Sequence, residues 1–284
     1  MKTLFETFKK SLHNPEFYRA VSGASLGEAL RYYVKVVFIL AVIATVAFSI
    51  ILVPRGVRFI RDVAPSLVRD YYPADMVVTI EKGHASTNIV EPFIVISKGV
   101  THDVLREDGL DNLFVIDTGH DFNVKMFEDH KTLVLLTKTE VVTQNRKGNI
   151  TIQSLRSTPD MVIDQAKLLV FVEKIRAGLP YFVPVGIVVT LVSLFFGYMI
   201  YLIPLFLFAL IPFLLVRVRR VPLTYGGAYK MSMYAVVPGL ALKTLFNIGG
   251  FFFVPAYLSL LVFTLIVFIN MREVEQPTLF TGNE

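Results

Sequence analysis

The sequence predicts a polytopic α-helical membrane protein of about four spans, with an extracytoplasmic α+β domain inserted at residues 54–176. Three observations predict this class. The chain is 54% hydrophobic over 284 residues, with 24 Phe and a mean hydropathy of +0.59, too apolar for an ordinary soluble domain. Residues 177–216 carry no charged side chain. Most of the acidic residues fall between Arg55 and Arg176, in a stretch of soluble-domain composition.

Residues 1–32 set Leu4, Phe5, Phe8 and Leu12 at helical spacing beside Lys2, Lys9 and Lys10. This cytoplasmic segment is either an interfacial amphipathic helix or a solvated tail. Asn14-Pro15 breaks the pattern, and Ser25-Leu-Gly-Glu28 has the spacing of a capping box opening the next helix. Residues 33–53 contain one charge, Lys35, and at about 1.5 Å per residue they cover a bilayer core of roughly 30 Å. The run is longer than a signal-peptide core and lacks a small-residue cleavage site, so it reads as an uncleaved anchor closed by Pro54.

In residues 54–176, Arg55–Tyr72 reads as a short amphipathic helix. β-Branched or alternating runs then predict strands at Met76–Ile80, Pro92–Ile96, Leu113–Ile116, Asn123–Met126, Leu133–Leu136, Val141–Thr143 and Ile150–Ser154. Lys82-Gly83, Asp108-Gly109, Thr118-Gly119 and Lys147-Gly148 punctuate them as turns. Helical spacing returns over Met161–Arg176.

The apolar segment 177–216 would be about 60 Å long as one helix, twice the bilayer core. It is either a hairpin turning near Gly197 or one tilted helix kinked at Pro204 or Pro212. The basic loop 217–230 (Arg217, Arg219, Arg220, Lys230) and the basic N-terminal segment share the cytoplasmic side only if the segment crosses once, which favours one crossing. Residues 231–248 and 251–270 read as a helical hairpin turning outside at Asn247-Ile-Gly-Gly250, before a C-terminal tail at 271–284. Both termini are then cytoplasmic. The net charge of +5 is spread beside apolar segments rather than along a basic run with interleaved aromatics, which argues against nucleic acid and names the lipid bilayer as the first partner.

Several strings occur in a telling order: Phe8-Lys-Lys-Ser11, Asn14-Pro15, one span, Leu113-Phe-Val-Ile-Asp-Thr-Gly119, Leu133-Val-Leu-Leu-Thr-Lys138, a long apolar helix, Arg217-Val-Arg-Arg220, and Tyr229-Lys-Met-Ser-Met-Tyr-Ala-Val-Val-Pro238. Across nearly the whole chain this order resembles the bacterial membrane-protein family known as domain of unknown function 1189. The membrane half of that family is similar to the Yip (Ypt-interacting protein) superfamily, where a basic loop and a Tyr-Ala-x-x-Pro helix recur, here at Tyr234, Ala235 and Pro238. The resemblance implies an architecture and a place in the bacterial cytoplasmic membrane rather than a chemistry. Some relatives carry a maltodextrin-utilisation label, which hints at an accessory transport role.

Candidate chemistry is sparse. Without Cys there is no disulfide, thiolate metal site or cysteine nucleophile. Asp117-Thr118-Gly119 after two apolar residues matches the opening of an aspartic-protease loop, which needs a second carboxylate from a partner copy. His120 stands where that pattern prefers a small residue. The structural alternative is a strand-end turn in which Asp117 bonds nearby backbone N–H groups and Gly119 takes a positive φ. His84, His102, His120 and His130, with Asp103 and Asp121, lack helical metal-ligand spacing, and there is no phosphate loop or nucleophile elbow. No metal or cofactor is therefore expected. Lys243 is the clear ionisable residue within a span, about five residues from a turn and able to snorkel. Pro204, Pro212, Pro238 and Pro255 interrupt spans and free carbonyls for a ligand or a neighbouring helix. The expected function is a non-enzymatic scaffold, sensor or binder of a membrane or extracytoplasmic protein partner. The alternatives are an accessory transport protein acting through Lys243 and a dimeric aspartic-type hydrolase using Asp117.

Overall fold

The computed structural model describes residues 2–96, 110–144, 149–218, 222–250 and 257–272. Asp108-Gly109, Lys147-Gly148, His102, Asp103, Arg219, Arg220, Pro255 and the tail from residue 273 lie outside the described residues. The chain divides into two compact units, one of Met1–Arg55 with Pro180–Glu284 and one of Gly56–Leu179.

The helical unit contains α1 (Lys2–Leu12), α2 (Pro15–Gly23), α3 (Leu26–Arg58) up to Arg55, α6 (Gln165–Ile200) from Pro180 onward, α7 (Leu202–Phe208), α8 (Leu210–Val218), α9 (Tyr225–Ile248) and α10 (Tyr257–Arg272); α4 (Ala64–Tyr71) and α5 (Val124–His130) belong to the other unit. Among the described residues, three helical stretches are long and apolar enough to cross a membrane: Leu26–Tyr71, Gln165–Val218 and Tyr225–Ile248. Leu258–Met271 is a shorter apolar helix.

The capping box predicted before α3 forms, with Glu28 N donating to Ser25 Oγ at 3.2 Å and Ser25 N donating to Glu28 Oε2 at 3.3 Å. Pro54 does not close α3. The missing N–H of a proline costs one hydrogen bond, which an apolar helix tolerates. The helix continues through a π-helical turn at Phe59–Val63 into α4 (Ala64–Tyr71). In the long apolar segment, Gly197 lies inside α6. The interruptions come where α6 ends at Ile200 and α7 at Phe208, each four residues before a proline, Pro204 and Pro212. That offset is where a proline ring meets the carbonyl of the preceding turn.

The N-terminal segment is packed rather than a free tail. Asn14 caps α2 by accepting from Phe17 N at 2.8 Å, while its own N–H donates to Oδ1 of the fully buried Asn270 on α10 at 2.7 Å. Asn270 Nδ2 donates in turn to Leu12 O at 3.1 Å, so one side chain holds the turn between α1 and α2. The unit's core gathers Tyr18, Tyr33, Val37, Leu205, Leu240 and Phe263 from different helices.

The sheet unit has two sheets. Strands β1 (Val77–Glu81), β2 (His84–Thr87) and β8 (Met161–Asp164) form an antiparallel sheet of order β2-β1-β8. Strands β3 (Phe93–Ile96), β4 (Asn112–Asp117), β5 (Thr132–Thr137), β6 (Glu140–Gln144) and β7 (Ile150–Ser154) form the second in sequence order. Only β4 and β5 run parallel in it, joined across α5 (Val124–His130). Register puts Val115 beside Leu135 and Leu135 beside Val142, and this row packs with Phe127 of α5. The opposite face carries Phe114, Ile116 and Leu136 into a core with Met76 and Val78. A strand's twofold alternation builds both cores from one sheet.

Two expectations are corrected here. Asn123–Met126 alternates as a strand does, yet Asn123 Oδ1 caps α5 by accepting from Lys125 N at 2.9 Å, and the adjacent Met126 and Phe127 both pack on the sheet, which a strand's alternation would not allow. A parallel pair requires such a crossover. Met161–Arg176 is not helical throughout, because Met161–Asp164 pairs with β1 before α6 begins.

Candidate functional site

The Asp117–His120 segment lies at the carboxyl end of β4, the end of a parallel strand pair where α/β proteins place ligands. Continuing the β3–β4 register beyond Phe93 opposite Ile116 sets Glu91 opposite Thr118. Glu91 is the residue that sequence reasoning missed; the signal for it is that register, which sequence spacing alone does not supply. Its carboxylate receives Thr118 Oγ1 at 2.5 Å and Gly119 N at 2.7 Å. Asp117 is buried, and its Oδ1 lies 2.8 Å from Nδ1 of His120, whose ring is exposed. The carbonyl of His120 accepts from Lys138 N at 3.1 Å, tying the turn to the end of β5.

The turn therefore differs in detail from the expected one. Asp117 pairs with an imidazole rather than with backbone N–H groups. Gly119 is not in the left-handed region, where the glycines of the described residues are Gly83 and Gly250. A Cβ at Gly119 would stand 3.5 Å from Glu91 Oε2, an ordinary contact, so its N–H rather than its freedom of φ is what the turn uses.

Aspartic-protease chemistry needs two carboxylates sharing a proton. Among the described residues no second carboxylate hydrogen-bonds Asp117, and Glu91 is occupied by Thr118 and Gly119. Among the described residues no group of three or more His, Asp or Glu side chains is placed to hold a metal ion. His84 sits on β2, His120 after β4 and His130 at the end of α5, on separate elements.

The hydrogen bond that His120 Nδ1–H donates to Asp117 and the negative charge of that carboxylate, with a smaller contribution from Glu91, hold the His120 imidazolium pKa above its usual 6.5. A raised folded-state pKa gives stabilisation that is fully present below the unfolded value and lost as pH rises through the folded one. His120→Gln should therefore lower the unfolding temperature at about pH 5.5 and have a smaller effect at about pH 8.5. Thermal unfolding of both proteins by circular dichroism checks this; an equal difference at both pH values contradicts it.

In the helical unit, Lys243 of α9 donates to Tyr201 Oη at 2.6 Å, with its ammonium 5.2 Å from the Tyr201 ring centroid. The residue expected to snorkel thus has a partner at the break between α6 and α7. Beside it, Tyr198 Oη lies 2.5 Å from Thr244 Oγ1. Tyrosine hydroxyls from neighbouring helices reach the carbonyls around the kinks: Tyr33 donates to Tyr198 O at 2.6 Å, Tyr229 to Leu202 O at 3.1 Å, and Tyr225 to Phe206 O. These three carbonyls are met by helices α3 and α9; they flank the carbonyls of Ile200 and Phe208, the ones that Pro204 and Pro212 deprive of a partner N–H.

These features define a helical protein with helices long and apolar enough to cross a membrane and an inserted two-sheet unit. The chain belongs to the family described as protein of unknown function (DUF1189), which matches residues 5–271. No curated protein and no solved structure matches it.

Proposed function

We propose that this protein is a non-enzymatic, multi-pass protein of the bacterial cytoplasmic membrane that uses its sheet unit to bind a protein partner outside the cytoplasm. It crosses the membrane about four times and keeps both termini in the cytoplasm, which is the arrangement the basic flanks favour. The observation that carries the binding role is β7. This strand ends the five-stranded sheet among the described residues, and all five of its residues are exposed, Ile150 at 42% and Ile152 at 51%. Exposed sheet edges in proteins that stay free of partners are usually blunted by Lys, Pro or bulges. Ile150-Thr-Ile-Gln-Ser154 has none of these residues, and its outer backbone edge, unpaired among the described residues, suits strand addition by an extended partner segment.

A hydrolase is less supported, because Asp117 and Glu91 are spent on one turn. Accessory transport, as in maltodextrin uptake, is also less supported: Lys243, the ionisable group it would use, already has the Tyr201 hydroxyl as a partner within the bundle. The test is photo-crosslinking in intact cells from a reactive residue replacing Gln153. One discrete protein adduct is expected, lost when Ile150→Lys and Ile152→Lys are added at equal protein level. No adduct, or one that survives the two lysines, sinks the reading.

A further inference from the structure

We propose that the groove between α1 and α3 holds the phosphate of an anionic phospholipid, with an acyl chain continuing along α3. The groove has a volume of about 400 Å³, within the range of small-molecule sites. One wall is α3, which presents Arg31 and Lys35 four residues apart and both exposed. Residues at this spacing are neighbours on one helix face, so both cations line the same stretch of the groove, within reach of one phosphate. Among the described residues neither forms an ion pair. The one acid lining the groove, Glu28, has its carboxylate drawn to Ser25 N by the capping box. The positive charge is therefore left for something outside the chain.

The order of residues along that face selects a lipid over a free phosphate. Above Arg31 and Lys35 the same face continues one turn at a time with Ile39, exposed at 40%, and Ile43, at 47%. Cation, cation, apolar, apolar is the polarity order of a headgroup followed by a chain. Lys35 is the single charge in residues 33–53, a position where an unpartnered cation is costly and an anionic headgroup would offset it. The opposite wall is α1, which lines the groove with Thr3, Leu4 and Thr7. It exposes Phe5 at 71% and carries Lys9 and Lys10, as a helix lying on an anionic surface does. The floor is rigid, because the Tyr32 ring stacks on Tyr234 at 4.5 Å.

The inference rests on the membrane reading, whose own failure would be seen earlier, as a chain that does not partition with membranes. The full chain purified in detergent is titrated with a fluorescent phosphatidylglycerol and, separately, with the phosphatidylcholine analogue. Phosphatidylglycerol should bind more tightly than phosphatidylcholine, and the double variant Arg31→Gln/Lys35→Gln should weaken it by about tenfold or more. Lys35→Arg, which keeps the charge and is the least disruptive change, should retain binding. Glycerol phosphate should compete poorly, because it lacks the chain that Ile39 and Ile43 contact. Equal affinity for the two lipids, equal binding by the wild type and the double variant, or full competition by glycerol phosphate overturns the proposal. Should the double variant fail to fold, Lys35→Gln alone against Lys35→Arg gives the same comparison.

Discussion

Gly83→Val is expected to destabilise the sheet unit by about 2–5 kcal/mol, from two costs that add. The β1–β2 register pairs Glu81 with His84, leaving Lys82 and Gly83 as a two-residue turn, with φ of 50° and 78°. Two positive φ values in succession define the hairpin turn whose twist matches that of the strands. A side chain at Gly83 pays the left-handed penalty, about 1–2 kcal/mol. It also meets immovable atoms, because a Cβ there would lie 2.7 Å from Arg156 Cα and 3.3 Å from Leu155 O. That backbone cannot retreat: Leu155 is buried against Ile80 and Ala85, and its N–H donates to Thr139 O at 2.8 Å. Thermal unfolding of the full chain in detergent, followed by circular dichroism, reads the effect. Lys82→Asn, which suits the same turn, should be neutral or slightly stabilising; a Gly83→Val protein as stable as the wild type contradicts the turn geometry.

Gly239→Val is expected to do the equivalent damage to the helical unit, by roughly 1–3 kcal/mol or more. Gly239 follows Pro238 within α9, and a Cβ built on it would stand 2.7 Å from Ser259 O and 3.1 Å from Ser259 Cα on α10. Ser259 is itself buried, so α10 would have to move as a body. Small residues at such crossings let helix backbones approach where lipid supplies no hydrophobic drive for association. Gly197→Ala is the matched control. Nothing lies within 4 Å of its Cβ position, and inside α6 the change should stabilise by up to about 1 kcal/mol. Monodispersity after heating in detergent separates the two; equal behaviour would mean that α9 and α10 do not cross at Gly239.

Periodicity made most of the fold legible. Apolar runs located the long helices, and alternation located β1, β3, β4, β5, β6 and β7, because burial on one face imposes a period that sequence carries directly. The misses are places where tertiary pairing overrides local pattern. His84–Thr87 is short and polar and becomes β2 because the Lys82-Gly83 turn folds it back on β1. Met161–Asp164 runs without a break into the apolar α6 and is a strand only because β1 needs a second neighbour. Pro54 signalled a stop that an apolar helix does not have to obey. At the candidate site, the turn at Thr118-Gly119 was legible, and its partner was not. Glu91 is 27 residues from Thr118, and only the β3–β4 register joins them. Lys243 was legible as an exception in an apolar run, whereas the Tyr201 hydroxyl it meets depends on where Pro204 breaks the neighbouring helix.

The proposed topology, in which the long apolar segment crosses the membrane once and the sheet unit is extracytoplasmic, can be tested directly by labelling. The chain contains no Cys, so a single introduced thiol reports one position. Ile152→Cys marks the exposed edge of the sheet unit, and Val218→Cys, exposed at 84%, marks the end of the long segment. In intact cells a membrane-impermeant maleimide should label Ile152→Cys and leave Val218→Cys unlabelled until the membrane is permeabilised. Labelling of Val218→Cys in intact cells, or protection of Ile152→Cys, would contradict it.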